Sequence, residues 1–241
     1  MHPGVVWPAR RPDADRVLVC LSYCGGGTTA FRPWARVLAD DCDLAVVCYP
    51  GRERRMAEPA PHDWPTLFGD ALAAVRSVVD RPYVLFGHSM GAWMAFEVAV
   101  AMEQTSTPPV ALVASASNAP TRAEAVRRRP PRAGDPDEDL VRWMANVGQL
   151  SPVVLADPDL RQMALDLFRA DGWAAESYEY VQGTTVRAPL HILQGTDDAQ
   201  LDDDGGWEPL ATGGYRMDRL PGGHFYTTEV WATLPRWMSV L

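Results

Sequence analysis

Residues 82–102 read Pro82-Tyr83-Val84-Leu85-Phe86-Gly87-His88-Ser89-Met90-Gly91-Ala92, continuing through Trp93 to Met102 as WMAFEVAVAM. Pro82 to Phe86 is a short apolar run of the kind that forms a strand buried on both faces. Ala92 to Met102 carries apolar residues at helical spacing. Gly87-His88-Ser89-Met90-Gly91 therefore falls where a strand turns sharply into a helix. That turn is tight and strained, and a side chain at either glycine would clash. The serine between them is raised at the carboxyl end of the sheet, beside the amino terminus of the helix.

Working outward, Arg16 to Tyr23, Asp43 to Tyr49, Val110 to Ala114 and Pro189 to Gln194 are further short apolar runs bounded by turn residues. Helical patterns at Phe31 to Ala39 and Trp64 to Val79 lie between them, so the chain alternates strand and helix. A mostly parallel, doubly wound α/β sheet is expected. Residues 119–182 break the rhythm with a stretch rich in proline and arginine, followed by helical patterns at Glu138 to Met144 and Asp159 to Arg169. They are expected to form a helical lid inserted over the carboxyl ends of the strands, where open α/β sheets bind ligands. Trp143, Met144, Met163 and Trp173 are candidates to line an apolar tunnel there. At 241 residues the chain is expected to be one domain, residues 1–241.

Composition narrows the function. All 22 basic residues are arginine, which removes lysine-based Schiff-base and amine chemistry. A net charge of −9 argues against a nucleic-acid partner. Met1 to Arg16 have no apolar core of signal-peptide length and no stretch approaches the apolar length of a membrane span, so a cytoplasmic protein without a membrane partner is the expectation. Cys20, Cys24, Cys42 and Cys48 form no Cys-x-x-Cys pair and read as reduced core thiols.

A serine at such a turn needs a base within reach and a third group to orient it. Of five histidines, His2, His62 and His88 are badly placed and His191 lies inside a strand run, which leaves His224 in Gly222-Gly223-His224. Asp197 and Asp198 follow the strand ending at Gln194, and either could orient the histidine, with Asp198 favoured. The chain order Ser, Asp, His is that of the α/β-hydrolase fold. For the oxyanion hole, the backbone N–H of Met90 is one donor. The loop Tyr23-Cys24-Gly25-Gly26-Gly27 supplies the second, from Cys24 or Gly25.

With these residues placed, the chain resembles the type II thioesterases that accompany polyketide synthases and non-ribosomal peptide synthetases. The resemblance runs nearly end to end. It rests on the glycine-rich loop followed by Phe31-Arg32-Pro33-Trp34, on Tyr49-Pro50-Gly51-Arg52, on GHSMGAWMAFE from Gly87, on LADPDLRQM from Leu155, and on Pro221-Gly222-Gly223-His224-Phe225. In that family the acid is the last residue of Gly-x-x-Asp, which implies Asp198. The chain departs from the pattern in two places. Ser22-Tyr23-Cys24-Gly25-Gly26 stands where Pro-His-Ala-Gly-Gly is frequent, and Ala199 follows the acid where proline is usual.

The resemblance implies hydrolysis of acyl groups from the phosphopantetheine arm of carrier proteins, with Ser89, His224 and Asp198 catalytic, Met90 and Cys24 as oxyanion amides, and no metal or redox cofactor. An acidic carrier protein calls for a local basic patch on an enzyme of charge −9, and Arg122, Arg127, Arg128, Arg129 and Arg132 offer one. The triad alone is also compatible with a carboxylesterase or lipase, with a product-releasing thioesterase, or with a protein that keeps the fold for binding.

Overall fold

Side chains alternate across each central strand, and the alternation divides the core in two. In the strand β2 (Arg16–Leu21), Val17, Val19 and Leu21 face one apolar cluster while Leu18 and Cys20 face the other. In β4 (Tyr83–His88), Tyr83 and Leu85 face the first cluster and Val84 and Phe86 the second. A sheet apolar on both faces must be covered on both. The helices α1 (Trp64–Arg76) and α2 (Met90–Met102) cover one face. A 3-10 helix at Thr29–Arg36 and the short helix α6 (Thr228–Thr233) cover the other.

The computed structural model describes residues 2–122, 131–203 and 205–241. Seven strands form one sheet in the order β1-β3-β2-β4-β5-β6-β7, adding β1 (Val5–Ala9), β3 (Cys42–Val47), β5 (Ala111–Ser115), β6 (Leu190–Gly195) and β7 (Tyr215–Leu220) to those named. Every pairing is parallel except that of β1 with β3. The order reverses beside β2 and β4, so the loops after these two strands meet at the crevice where such sheets bind ligands. The expected mostly parallel, doubly wound sheet is the one found.

Three local expectations need correction. Phe31 to Ala39 does not form an α-helix. Pro33 has no N–H to give, and the segment winds as a 3-10 helix whose three-residue repeat places Phe31 and Trp34 together in the second cluster. The edge strands β1 and β7 were not expected. Strand β1 contains Pro8 and shifts register between Val6 and Ala9, a disruption an edge strand tolerates. Strand β7, YRMDRL, has no apolar run, because its outer edge meets solvent.

Between β5 and β6 lie the helices α3 (Asp137–Asn146), α4 (Pro152–Ala156) and α5 (Pro158–Glu176), in the region read as a lid. Asp157 accepts hydrogen bonds from the backbone N–H groups of Asp159 and Leu160, capping α5. Leu140 and Met144 of α3 pack on Leu165 and Phe168 of α5 as a small core of their own. Arg127, Arg128 and Arg129 lie outside the described residues. Among the described residues no helix is long and apolar enough to cross a membrane.

Candidate active site

Ser89 sits between β4 and α2 with φ 55° and ψ −122°, a conformation that L-residues rarely adopt. Its backbone N–H donates to Ser115 O at 2.8 Å, which holds the turn against β5. The flanking glycines are required by close approach. A Cβ at Gly87 would stand 1.9 Å from Gly91 O, and one at Gly91 would stand 2.3 Å from Leu21 O. The turn thus stores strain of about 1–3 kcal/mol and presents the serine hydroxyl at the crevice.

The two nitrogens of His224 reach in opposite directions. Nε2 lies 3.0 Å from Ser89 Oγ, and Nδ1 lies 2.8 Å from Asp198 Oδ2. The Asp198 side chain is 1% exposed, and its other oxygen accepts from the Gln200 N–H at 3.1 Å. Asp197 is exposed and makes no side-chain contact with His224. Of the two acids, Asp198 is the one whose side chain meets His224. A carboxylate on Nδ1 leaves Nε2 free to accept the serine proton and steadies the imidazolium that results.

Beneath His224, the buried His88 is held by Ser115, whose hydroxyl lies 3.0 Å from His88 Nδ1 and 2.7 Å from the Tyr226 hydroxyl. The Tyr226 hydroxyl donates to Leu193 O. The Ser115 proton then goes to Tyr226, and His88 Nδ1 is the donor of a neutral ring. Burial, and after it the neighbouring His224, holds the His88 pKa well below the usual histidine range. Burial likewise pushes the Cys24 thiol well above the usual range. All four cysteines are free.

The backbone N–H groups of Cys24 and Met90 have no hydrogen-bond partner among the described residues, whereas the Gly25 N–H is taken by Asp171 Oδ2 at 2.7 Å. Of the two amides at this turn, that of Gly25 is therefore taken and that of Cys24 is open. Ser89 and His224 open onto a cavity of about 410 Å³ lined by Cys24, Met90, Trp93, Trp143, Phe168 and Tyr178. Of the four residues expected to line a lid tunnel, only Trp143 does so. Met144 is buried inside the lid, Met163 is exposed, and Trp173 packs against His62 at a tilt, with ring centroids 4.8 Å apart.

Sequence reasoning missed Asn118, which accepts from the Asp202 N–H, donates to Gln200 O, and so ties the loop carrying the acid to the end of β5. No local pattern marks it, because its partners lie more than 80 residues away.

The sequence pattern of the thioesterase domain family matches residues 16–237. A probable cadicidin biosynthesis thioesterase of Streptomyces griseus is 33% identical over 222 residues, which are 90% of this chain and 60% of that relative. The solved type II thioesterase BorB from the borrelidin biosynthetic cluster is 33% identical, covers 97% of both chains, and superposes with a TM-score of 0.83. RedJ, the thioesterase from the prodiginine pathway of Streptomyces coelicolor, is 28% identical over 97% of this chain and 94% of its own, with a TM-score of 0.85. The chain belongs to the thioesterase domain family. By class it is a serine-based thioester hydrolase.

Proposed function

We propose that this enzyme hydrolyses acyl thioesters held on the phosphopantetheine arm of carrier proteins in a polyketide or non-ribosomal peptide pathway, releasing chains that have stalled or were wrongly primed. The observation that carries the reading is the hydrogen-bonded run Ser89–His224–Asp198 opening onto an aromatic cavity beneath the lid. It is supported by similarity to proteins described as type II thioesterases.

In the first half-reaction His224 Nε2 takes the Ser89 proton as Ser89 Oγ bonds to the thioester carbonyl carbon. The carbonyl electron pair moves onto oxygen, which faces the N–H groups of Met90 and Cys24. Collapse expels the pantetheine sulfur, which receives the proton from His224, and leaves an acyl-serine. Water then attacks this ester, giving its proton to His224; as the bond to Ser89 Oγ breaks, His224 passes that proton to Oγ, and the carboxylic acid leaves. Each oxyanion donor is worth about 3 kcal/mol. The steps draw only on side chains, backbone amides and water.

The test is a panel of short and medium acyl groups, each offered on a holo carrier protein, on free pantetheine and as a matched oxygen ester, to wild type and Ser89→Ala. Carrier-dependent turnover lost in Ser89→Ala is the expected result. Preference for simple oxygen esters would move the assignment to a general esterase, and turnover of one acyl group only would favour product release.

A further inference from the structure

The turn that carries Cys24 is held from outside by the lid. Gly26 N–H donates to Tyr23 O at 2.8 Å. A peptide group is planar, and Tyr23 O shares its plane with the Cys24 N–H, so this bond fixes the tilt of that plane. The next plane contains the Cys24 carbonyl and the Gly25 N–H. Its carbonyl accepts from Gln149 Nε2 at 2.9 Å, in the loop between α3 and α4, and its N–H donates to Asp171 Oδ2 at 2.7 Å, on α5. Gly25 has φ +72°, and a Cβ there would crowd Gln149 and the backbone of Phe168. The Cys24 thiol also donates to Phe168 O at 3.2 Å.

Asp171 is 1% exposed, and so deep a carboxylate requires a cation. Arg52 supplies it with a two-pronged contact, Nη2 to Oδ1 at 2.5 Å and Nη1 to Oδ2 at 2.7 Å. Nη1 also donates to Gly26 O at 2.7 Å, so one guanidinium joins the lid helix to the glycine-rich turn. Only a planar fork with several donors satisfies these acceptors together. Withdrawal of the lid would strip the Gly25 N–H and the Cys24 carbonyl of their partners and leave Arg52 without its anion.

We propose that Asp171, Arg52 and Gln149 are positioning residues of the oxyanion hole, clamping the Cys24–Gly25 peptide so that the Cys24 N–H faces the developing oxyanion only while the lid is seated. The inference rests on the proposed thioester hydrolysis at Ser89. It assigns the lid a part in assembling the catalytic donors as well as in enclosing the acyl chain.

The experiment compares wild type, Gln149→Ala, Gln149→Lys and Asp171→Asn, each normalised by stoichiometric titration of Ser89 with a phosphonate. Gln149 is half-buried at a loop, so its substitution should leave the fold intact, and the phosphonate titration counts the folded sites. Gln149→Ala is expected to lower kcat about 10–100-fold, a fraction of the loss for deleting a donor outright, with KM changed less than about threefold. Affinity for an acyl boronic acid, which carries the tetrahedral oxygen, should fall in parallel, and Gln149→Lys, which restores a donor, should recover part of both losses. Asp171→Asn should act in the same direction. Unchanged kcat and boronate affinity per titrated site in both Gln149→Ala and Asp171→Asn would overturn the clamp while leaving the hydrolase reading intact. A wild type without Ser89-dependent thioesterase activity would overturn both.

Discussion

Asp198 Oδ2 stands 2.8 Å from His224 Nδ1, while Asp197, one residue earlier, points to solvent. Asp198→Asn should keep the fold and lower kcat by about 10³–10⁴-fold, since an amide can hold the wrong tautomer of the imidazole. Asp197→Asn should stay within about threefold of wild type, because its side chain touches nothing in the site. Steady-state kinetics on a pantetheine thioester distinguishes the two, and equal losses would refute the assignment.

The strain at Ser89 gives a stability prediction. Glycine adopts φ 55° without a Cβ penalty, so Ser89→Gly should be inactive yet more stable than wild type by about 1 kcal/mol, or about 2–4 °C in Tm. Ser89→Ala keeps the Cβ and should melt near wild type. Calorimetry of the three proteins measures this directly, and a less stable glycine variant would count against a strained turn.

Acid should weaken the fold through His88. Its folded pKa lies well below the unfolded value because burial excludes the charged ring. Below about pH 6.5 the unfolded chain takes up a proton that the folded chain refuses. Stability is therefore complete above that pH and declines as the solution is acidified towards the folded pKa. His191, also lowered by burial and partly offset by Asp218, adds to the trend in the same direction. Urea titrations across this range should show a shallower slope in His88→Gln, and an identical slope would place the proton uptake elsewhere.

Trp143 bounds the cavity and meets the His224 ring edge-on with centroids 6.2 Å apart. Trp143→Ala should raise kcat/KM for bulky acyl groups relative to short ones by about tenfold, the scale on which apolar pockets discriminate. Competition between a short and a branched acyl-pantetheine reads the ratio, and no change would remove Trp143 from the determinants of acyl size.

The central strands were legible because each is covered on both faces, so its residues are apolar without interruption, as in Val17 to Leu21 and Tyr83 to Phe86. The edge strands were not. Pro8 interrupts one, and in the other Arg216 and Arg219 are exposed while Asp218 pairs with His191, so neither leaves an apolar run to read. The 3-10 helix is hard to tell from an α-helix along the chain, because its Phe31 and Trp34 spacing suits both until Pro33 is weighed. Met163 and Trp173 have the apolar character of a tunnel lining, but helix rotation about its axis decides which residues face inward, and it turned these two outward.

By itself, the sequence determined the strand-turn-helix around Ser89, singled out the histidine found beside it and pointed to the family to which the chain belongs, because these depend on local backbone geometry and on residue types in fixed order. Tertiary structure alone brought Asp198 and not Asp197 to His224, paired the Gly25 N–H with Asp171 and joined Arg52 to Asp171, 119 residues apart. Those outcomes depend on which distant groups approach within hydrogen-bond distance, and that is fixed by how the lid and loops settle on the sheet, not by any pattern along the chain.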